Sequence, residues 1–121
     1  MRTPTEIARD YIALWNETDA GTRRALLTTT WTEGATYADP MMTGAGHAEI
    51  NALIAGVQER FPDFQFSLHG NPDGYDEVVR FSWALGPEGG EPVAKGTDVV
   101  RCQGVKLASV TGFLDQMPPT G

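Results

Sequence analysis

The spacing of apolar residues changes once along this chain, at Pro62, and that change restricts the fold more than any other feature. Ahead of it, apolar residues recur three and four apart. Thr3-Pro4-Thr5-Glu6 reads as a helix start, with Thr3 as cap, Pro4 at the first helical position and Glu6 completing a capping box. Ile7, Tyr11, Leu14 and Trp15 then mark one face of a helix expected to end near Asn16 to Gly21. A second helix is expected from about Gly21 to Trp31, with Ala25, Leu26 and Leu27 as its apolar part. Its Thr28-Thr29-Thr30 end is a poor helix interior and is expected to fray. Ile50, Leu53, Ile54, Val57 and Phe61 set a third helix over roughly 47–61, which Pro62 stops.

Beyond Pro62 the period is two. Phe64, Phe66 and Leu68 alternate with Gln65, Ser67 and His69, the mark of a strand with one buried face. Asn71-Pro72-Asp73-Gly74 reads as a turn. Strands are expected over about 75–85, 93–102 and 106–114, separated by a glycine-rich loop at 86–92 and a tight turn at Gln103-Gly104. One short strand precedes them: Glu33-Gly34 turns the chain into Ala35-Thr36-Tyr37-Ala38, and Thr43 to Gly46 reads as a loop. Three helices with one strand among them, then four antiparallel strands, make an α+β layout in which a curved sheet carries helices on one face. Such a sheet closes into a cone with one open end, where a small-molecule pocket forms.

At 121 residues the chain is expected to be one domain, 1–121, and its 40% hydrophobic and 21% charged content is that of a soluble globular protein. A net charge of −7 argues against nucleic acid and anionic membrane surfaces as partners. No apolar run approaches a membrane span and no leader pattern opens the chain, so a cytoplasmic location is expected. The single Cys102 has no internal disulfide partner and sits in a strand-like run, where a buried structural thiol is expected. No cluster with metal-ligand spacing is visible. The segment from Met117 to Gly121 reads as disordered.

Two aspartates stand where apolar residues are expected. Asp39 ends a strand, because Pro40 cannot donate to a ladder and holds Asp39 extended beside Met41 and Met42. A strand-terminating Asp-Pro turn is the plain alternative. Asp98 lies mid-strand in Gly96-Thr97-Asp98-Val99-Val100, an unusual place for a residue disfavoured in strands. Pointing inward, it would be held neutral by burial and act as a hydrogen-bond donor. Tyr11, central on the first helix's apolar face, adds a phenol, unless it is simply a core tyrosine. One ionised carboxylate opposite two neutral O–H donors in an apolar cavity is equipped to take a proton next to a carbonyl and stabilise the enolate.

With Tyr11-Ile12-Ala13-Leu14-Trp15-Asn16, Tyr37-Ala38-Asp39-Pro40, Gly46 to Ile54, Gly96-Thr97-Asp98 and Val110 to Asp115 in this order and spacing, the chain resembles the nuclear transport factor 2-like superfamily. That group includes SnoaL-like polyketide cyclases, limonene-epoxide hydrolases and ketosteroid isomerase. The resemblance covers nearly the whole chain. It implies a phenol donor at Tyr11, a general base at Asp39 and a protonated carboxylic acid at Asp98, acting without a cofactor or metal on a small hydrophobic carbonyl compound. It also implies a homodimer packed sheet to sheet. The ligand pocket is expected to be lined by Trp15, Met41, Phe64, Phe81, Trp83, Val100 and Phe113, with Phe81 and Trp83 equally readable as core. The superfamily's epoxide hydrolases use an Arg-x-Asp pair, which this chain lacks. A non-catalytic ligand-binding or dimerisation module of the same fold is the leading alternative, and an epoxide hydrolase is the weaker one.

Overall fold

In the computed structural model, which describes residues 2–117, Thr3 opens α1 (Pro4–Asn16) with both arms of the capping box. The Thr3 hydroxyl accepts from the Glu6 amide at 3.2 Å, and the Glu6 carboxylate accepts from the Thr3 amide at 3.0 Å. The reading of the tail falls, apart from Met117, outside the described residues. α2 spans Ala20–Thr30 and β1 spans Trp31–Ala38. A three-residue strand β2 (Thr43–Ala45) follows, then α3 (His47–Arg60). Four strands complete the chain: β3 (Phe64–Tyr75), β4 (Val78–Pro87), β5 (Ala94–Gln103) and β6 (Lys106–Gln116). They form one six-stranded sheet in the order β2-β1-β6-β5-β4-β3. All neighbours are antiparallel except β1 and β6, so the sheet is mixed. This is the expected α+β class, with a curved sheet and three helices in the N-terminal half.

The core lies between the sheet and the helices. Leu14, Leu27, Ile50, Ile54, Val100 and Leu107 are fully enclosed there, each contributing on the order of 1.5–3 kcal/mol by leaving water. No helix among the described residues is long and apolar enough to cross a membrane.

Local expectations fail in four places, each for a visible reason. α2 does not fray: the hydroxyls of Thr28, Thr29 and Thr30 donate to the carbonyls of Arg24, Ala25 and Leu26, closing the last turn. β1 starts at Trp31 and runs through Glu33-Gly34, because a register shift against β6 absorbs the break as a bulge. Residues 43–45 are a strand, since Gly44 lets β1 and β2 lie close under α3; a Cβ there would meet Leu53 Cδ1 at 2.9 Å. Asn71-Pro72-Asp73-Gly74 is a bulge inside β3, and the chain reverses instead at Asp76, whose φ is 51°.

The largest surprise is Arg23, on the face of α2 read as apolar. It is 3% exposed. Its Nε donates to Asn51 Oδ1 at 2.6 Å, and its Nη1 donates to the Glu17 carbonyl at 2.8 Å and to Gln58 Oε1 at 2.9 Å. Ala25, expected inside, is exposed. The guanidinium ties the end of α1 to α2 and α3 through neutral acceptors.

Candidate functional site

Sheet register brings the two aspartates together. β1 runs parallel to β6 with Ala38 opposite Thr111, so Asp39, one residue on, arrives beside Gly112. Gly112 is also the cross-strand partner of Asp98 on β5. A Cβ at Gly112 would lie 2.8 Å from Asp98 Oδ1 and 3.2 Å from Asp39 Cβ. Glycine there is the spacer that lets two carboxyls share one end of the cone. Alternation along β1 turns Ala35, Tyr37 and Asp39 inward, and alternation along β5 does the same for Gly96, Asp98 and Val100.

Tyr11 reaches the same place from α1. Its hydroxyl donates to Asp98 Oδ2 at 2.5 Å. Its ring stacks on Trp31 with centroids 6.0 Å apart and meets Phe81 edge-on at 4.9 Å, which fixes the direction of the O–H. Tyr37 donates to Asp39 Oδ2 at 2.6 Å, and the amides of Met41 and Met42 donate to Asp39 Oδ1 at 2.7 and 3.0 Å. Asp39 therefore does close a turn after Pro40, but with Oδ1 alone.

Both pairs open on one cavity of about 130 Å³. Its inner wall is aromatic and closed: Tyr11, Trp15 and Tyr37 are at most 5% exposed. Its mouth carries Met41 and Met117, both more than half exposed, and Arg60, the one basic residue in the lining. Burial pushes the Asp98 carboxyl from an ordinary 3.8 up to about 6. The Tyr11 and Trp83 donors pull the other way, and the neighbouring Asp39 adds to the rise. Burial, followed by the Asp98 charge, raises both the Tyr11 and the Tyr37 phenols, so both keep their protons at any physiological pH. Among the described residues no group of three or more His, Cys, Asp or Glu side chains is placed to hold a metal ion.

Of the residues picked from sequence, Tyr11, Trp15, Asp39, Met41, Trp83 and Asp98 line this cavity. The other four lie elsewhere. Phe81 is 2% exposed beneath Tyr11, and Val100 is wholly enclosed, so both are core. Phe64 stacks on Phe61 at 5.6 Å beside a separate groove near the α3 terminus. Phe113 is 54% exposed, because alternation on β6 turns Gly112 inward and Phe113 out. Period-two reasoning names the residues of a strand that share a face. It does not say which of them meet an open space. Tyr37 is the residue that sequence reasoning missed. Its signal was present, since it sits two positions before Asp39 on one strand and so must share its face. Cys102 is buried, and burial raises its thiol.

The SnoaL-like domain family matches residues 8–110. A candidate isomerase of the SnoaL-like family from Agrobacterium tumefaciens is 43% identical over 92% of this chain and 96% of its own, with a TM-score of 0.88. A candidate ketosteroid isomerase from Kribbella flavida is similar in fold, with 20% identity over 98% of this chain and 83% of its own and a TM-score of 0.70. A candidate SnoaL-like polyketide cyclase from Jannaschia shows 17% identity over 95% and 90%, with a TM-score of 0.69. No curated protein matches the chain.

Proposed function

The chain belongs to the SnoaL-like domain family, and on that footing we propose that it is a proton-transfer enzyme, working without a cofactor on a small hydrophobic carbonyl compound. The observation that carries this is the pair of unlike carboxyls flanking Gly112. Asp39 uses three of its roughly four lone-pair sites on Tyr37, Met41 and Met42. The fourth, on Oδ2, is available to a ligand in the cavity. Asp98, buried and with a pKa of about 6, is protonated in slightly acidic solution and charged above it. The two carboxyls differ in surroundings: Asp39 is half-buried with an acceptor site left over, and Asp98 is buried and drawn toward its protonated form.

The chemistry follows from the positions. Asp39 takes the proton from the carbon next to the ligand carbonyl, and the electron pair moves onto the oxygen. Tyr11 and protonated Asp98 donate to that oxygen. Asp39 then returns the proton to a different carbon, giving an isomer, or the enolate carbon attacks a second carbonyl of the same molecule, closing a ring, and the oxygen of that carbonyl takes the proton back from Asp39. In the ligand-free chain the Tyr11 hydroxyl donates to Asp98, so the acid must be protonated for both groups to donate outward. Activity is therefore expected to fall as pH rises through about 6. The exposed Phe113 on the outer sheet face supports a homodimer joined there, which sedimentation velocity would test.

The experiment is ultraviolet detection of conjugated enone formed from β,γ-unsaturated ketones, from cyclohex-3-enone up to a ketosteroid. Asp39→Asn, which keeps the acceptor oxygen for the Met41 and Met42 amides, is expected to lower the rate by roughly 10²–10⁴ and to leave the circular dichroism unchanged. Equal rates in wild type and variant would rule out Asp39 as the base, and no turnover by the folded wild type would rule out the isomerase.

A further inference from the structure

Trp15 carries a polar group that nothing in the proposed proton transfer uses. Its indole Nε1–H is buried with no hydrogen-bond partner among the described residues, while the residue as a whole is 4% exposed and lines the cavity. A buried donor left unpaired is costly, and native structures keep few of them. This one lies close to the Tyr11 hydroxyl, on a ring whose centroid is 6.0 Å from that of Tyr11. It therefore faces the inner end, where the proposed reaction places the ligand oxygen. An indole N–H does not titrate, so its donation is independent of the state of Asp98.

The size of the space adds a second constraint. An apolar cavity of roughly 150 Å³ holds a benzene molecule, and this one measures about 130 Å³. Its inner end is ringed by Tyr11, Trp15, Tyr37 and Phe66, with Trp15 packed at 5.5 Å centroid distance against both Tyr37 and Phe66. A flat ring fits those walls. Four fused rings do not fit within the enclosed part.

We infer that the inner end receives a single-ring carbonyl head whose oxygen accepts a hydrogen bond from Trp15 Nε1–H, next to the Tyr11 hydroxyl. The inference rests on the proton-transfer reading for where the oxygen sits, and it deepens that reading by naming the ligand head and its third donor. Phe66, half-buried and edge-on to Trp15, forms the wall next to the indole. Longer substrates carry the same head and lie out between Met41 and Met117.

Proton–nitrogen correlation spectra of the wild-type protein read the indole N–H groups of Trp15, Trp31 and Trp83 separately, with Trp15 assigned through its contacts to the Tyr37 ring. Cyclohex-2-enone is expected to move the Trp15 resonance downfield. Toluene, equal in size but without an acceptor, is expected to bind and leave it nearly in place. In Trp15→Phe the affinity for cyclohex-2-enone should fall about tenfold, the weight of one hydrogen bond, with toluene little affected. A Trp15 resonance unmoved at saturating cyclohex-2-enone would overturn the inference, as would failure of any single-ring ketone to bind. Because the spectra need only the folded wild type, the test survives a variant that misfolds. The outcomes also separate the two readings: a Trp15 shift without turnover of cyclohex-3-enone would leave the ligand head and end the isomerase, and turnover without the shift would do the reverse.

Discussion

Two buried polar clusters sit on opposite sides of Trp15, and they are built on different terms. Around Arg23, the donors described meet acceptors: Asn51, Gln58 and the Glu17 carbonyl surround the guanidinium, Asn51 Nδ2 bonds the Ala20 carbonyl, and Gln58 Nε2 bonds the carbonyls of Trp15 and Glu17. A satisfied network of this kind fixes the helices against one another. Around Asp98 satisfaction is incomplete. One carboxyl is forced toward its neutral form, a second keeps a free lone pair, and an indole N–H has no partner among the described residues. The first cluster spends the bonds described on holding the helices together. The second holds unmet hydrogen-bonding capacity inside an apolar wall, which is what a binding site requires.

If this contrast is right, breaking the first cluster should harm the fold and leave binding alone. Arg23→Met strands Asn51 Oδ1 and Gln58 Oε1, and should lower the unfolding free energy by about 4 kcal/mol, at one to three for each buried group left unpaired. Urea denaturation measures this, and cyclohex-2-enone affinity under native conditions should stay within about twofold. A variant as stable as wild type would show that the Arg23 cluster is not structural.

The second cluster should respond with the opposite sign. Asp98 holds its proton more tightly in the folded chain, at about 6, than at its ordinary 3.8. The folded state is therefore penalised above about pH 6, and the penalty disappears as pH falls toward 3.8. The shift corresponds to about 3 kcal/mol at neutral pH. Asp98→Asn keeps an acceptor for Tyr11 and removes the charge, so it should stabilise the protein at pH 7 by up to that amount and by almost nothing near pH 4. Stability profiles of the two proteins that run parallel across this range would contradict the burial argument.

The smallest effect sharpens the comparison inside the site. Tyr37→Phe removes one of three donors to Asp39, the one on Oδ2. About 1 kcal/mol of stability should be lost, and the rate of proton transfer should fall by roughly fivefold, the equivalent of that energy. A rate loss as large as that of Asp39→Asn would make Tyr37 a participant in the chemistry instead of a residue that holds the base in place.

The fold class was legible because each element carries its own period. Helices and strands come from local pattern, and the capping box at Thr3, the stop at Pro62 and the alternation from Phe64 onward all act over a few residues. The short strand at Thr43 and the bulge at Pro72 were hidden for the complementary reason: Gly44 and Pro72 look like punctuation until a neighbouring strand supplies the pairing. Asp39 and Asp98 stood out alone, each as a carboxylate out of place. Arg23 did not, since a charged residue in a helix is ordinary and only Asn51 and Gln58, 28 and 35 residues away, make its burial tolerable.

By itself, then, the sequence determined the elements, the class of fold and the two unusual carboxylates, because these depend on interactions between near neighbours in the chain. Tertiary structure alone decided that Gly112 sets Asp39 beside Asp98, that Tyr37 donates to Asp39, that Phe113 faces outward, and that the Trp15 N–H has no hydrogen-bond partner among the described residues. Each of these depends on register across strands or on packing between elements far apart in sequence, and a one-residue slip between β1 and β6 would have turned Asp39 to the other face of the sheet.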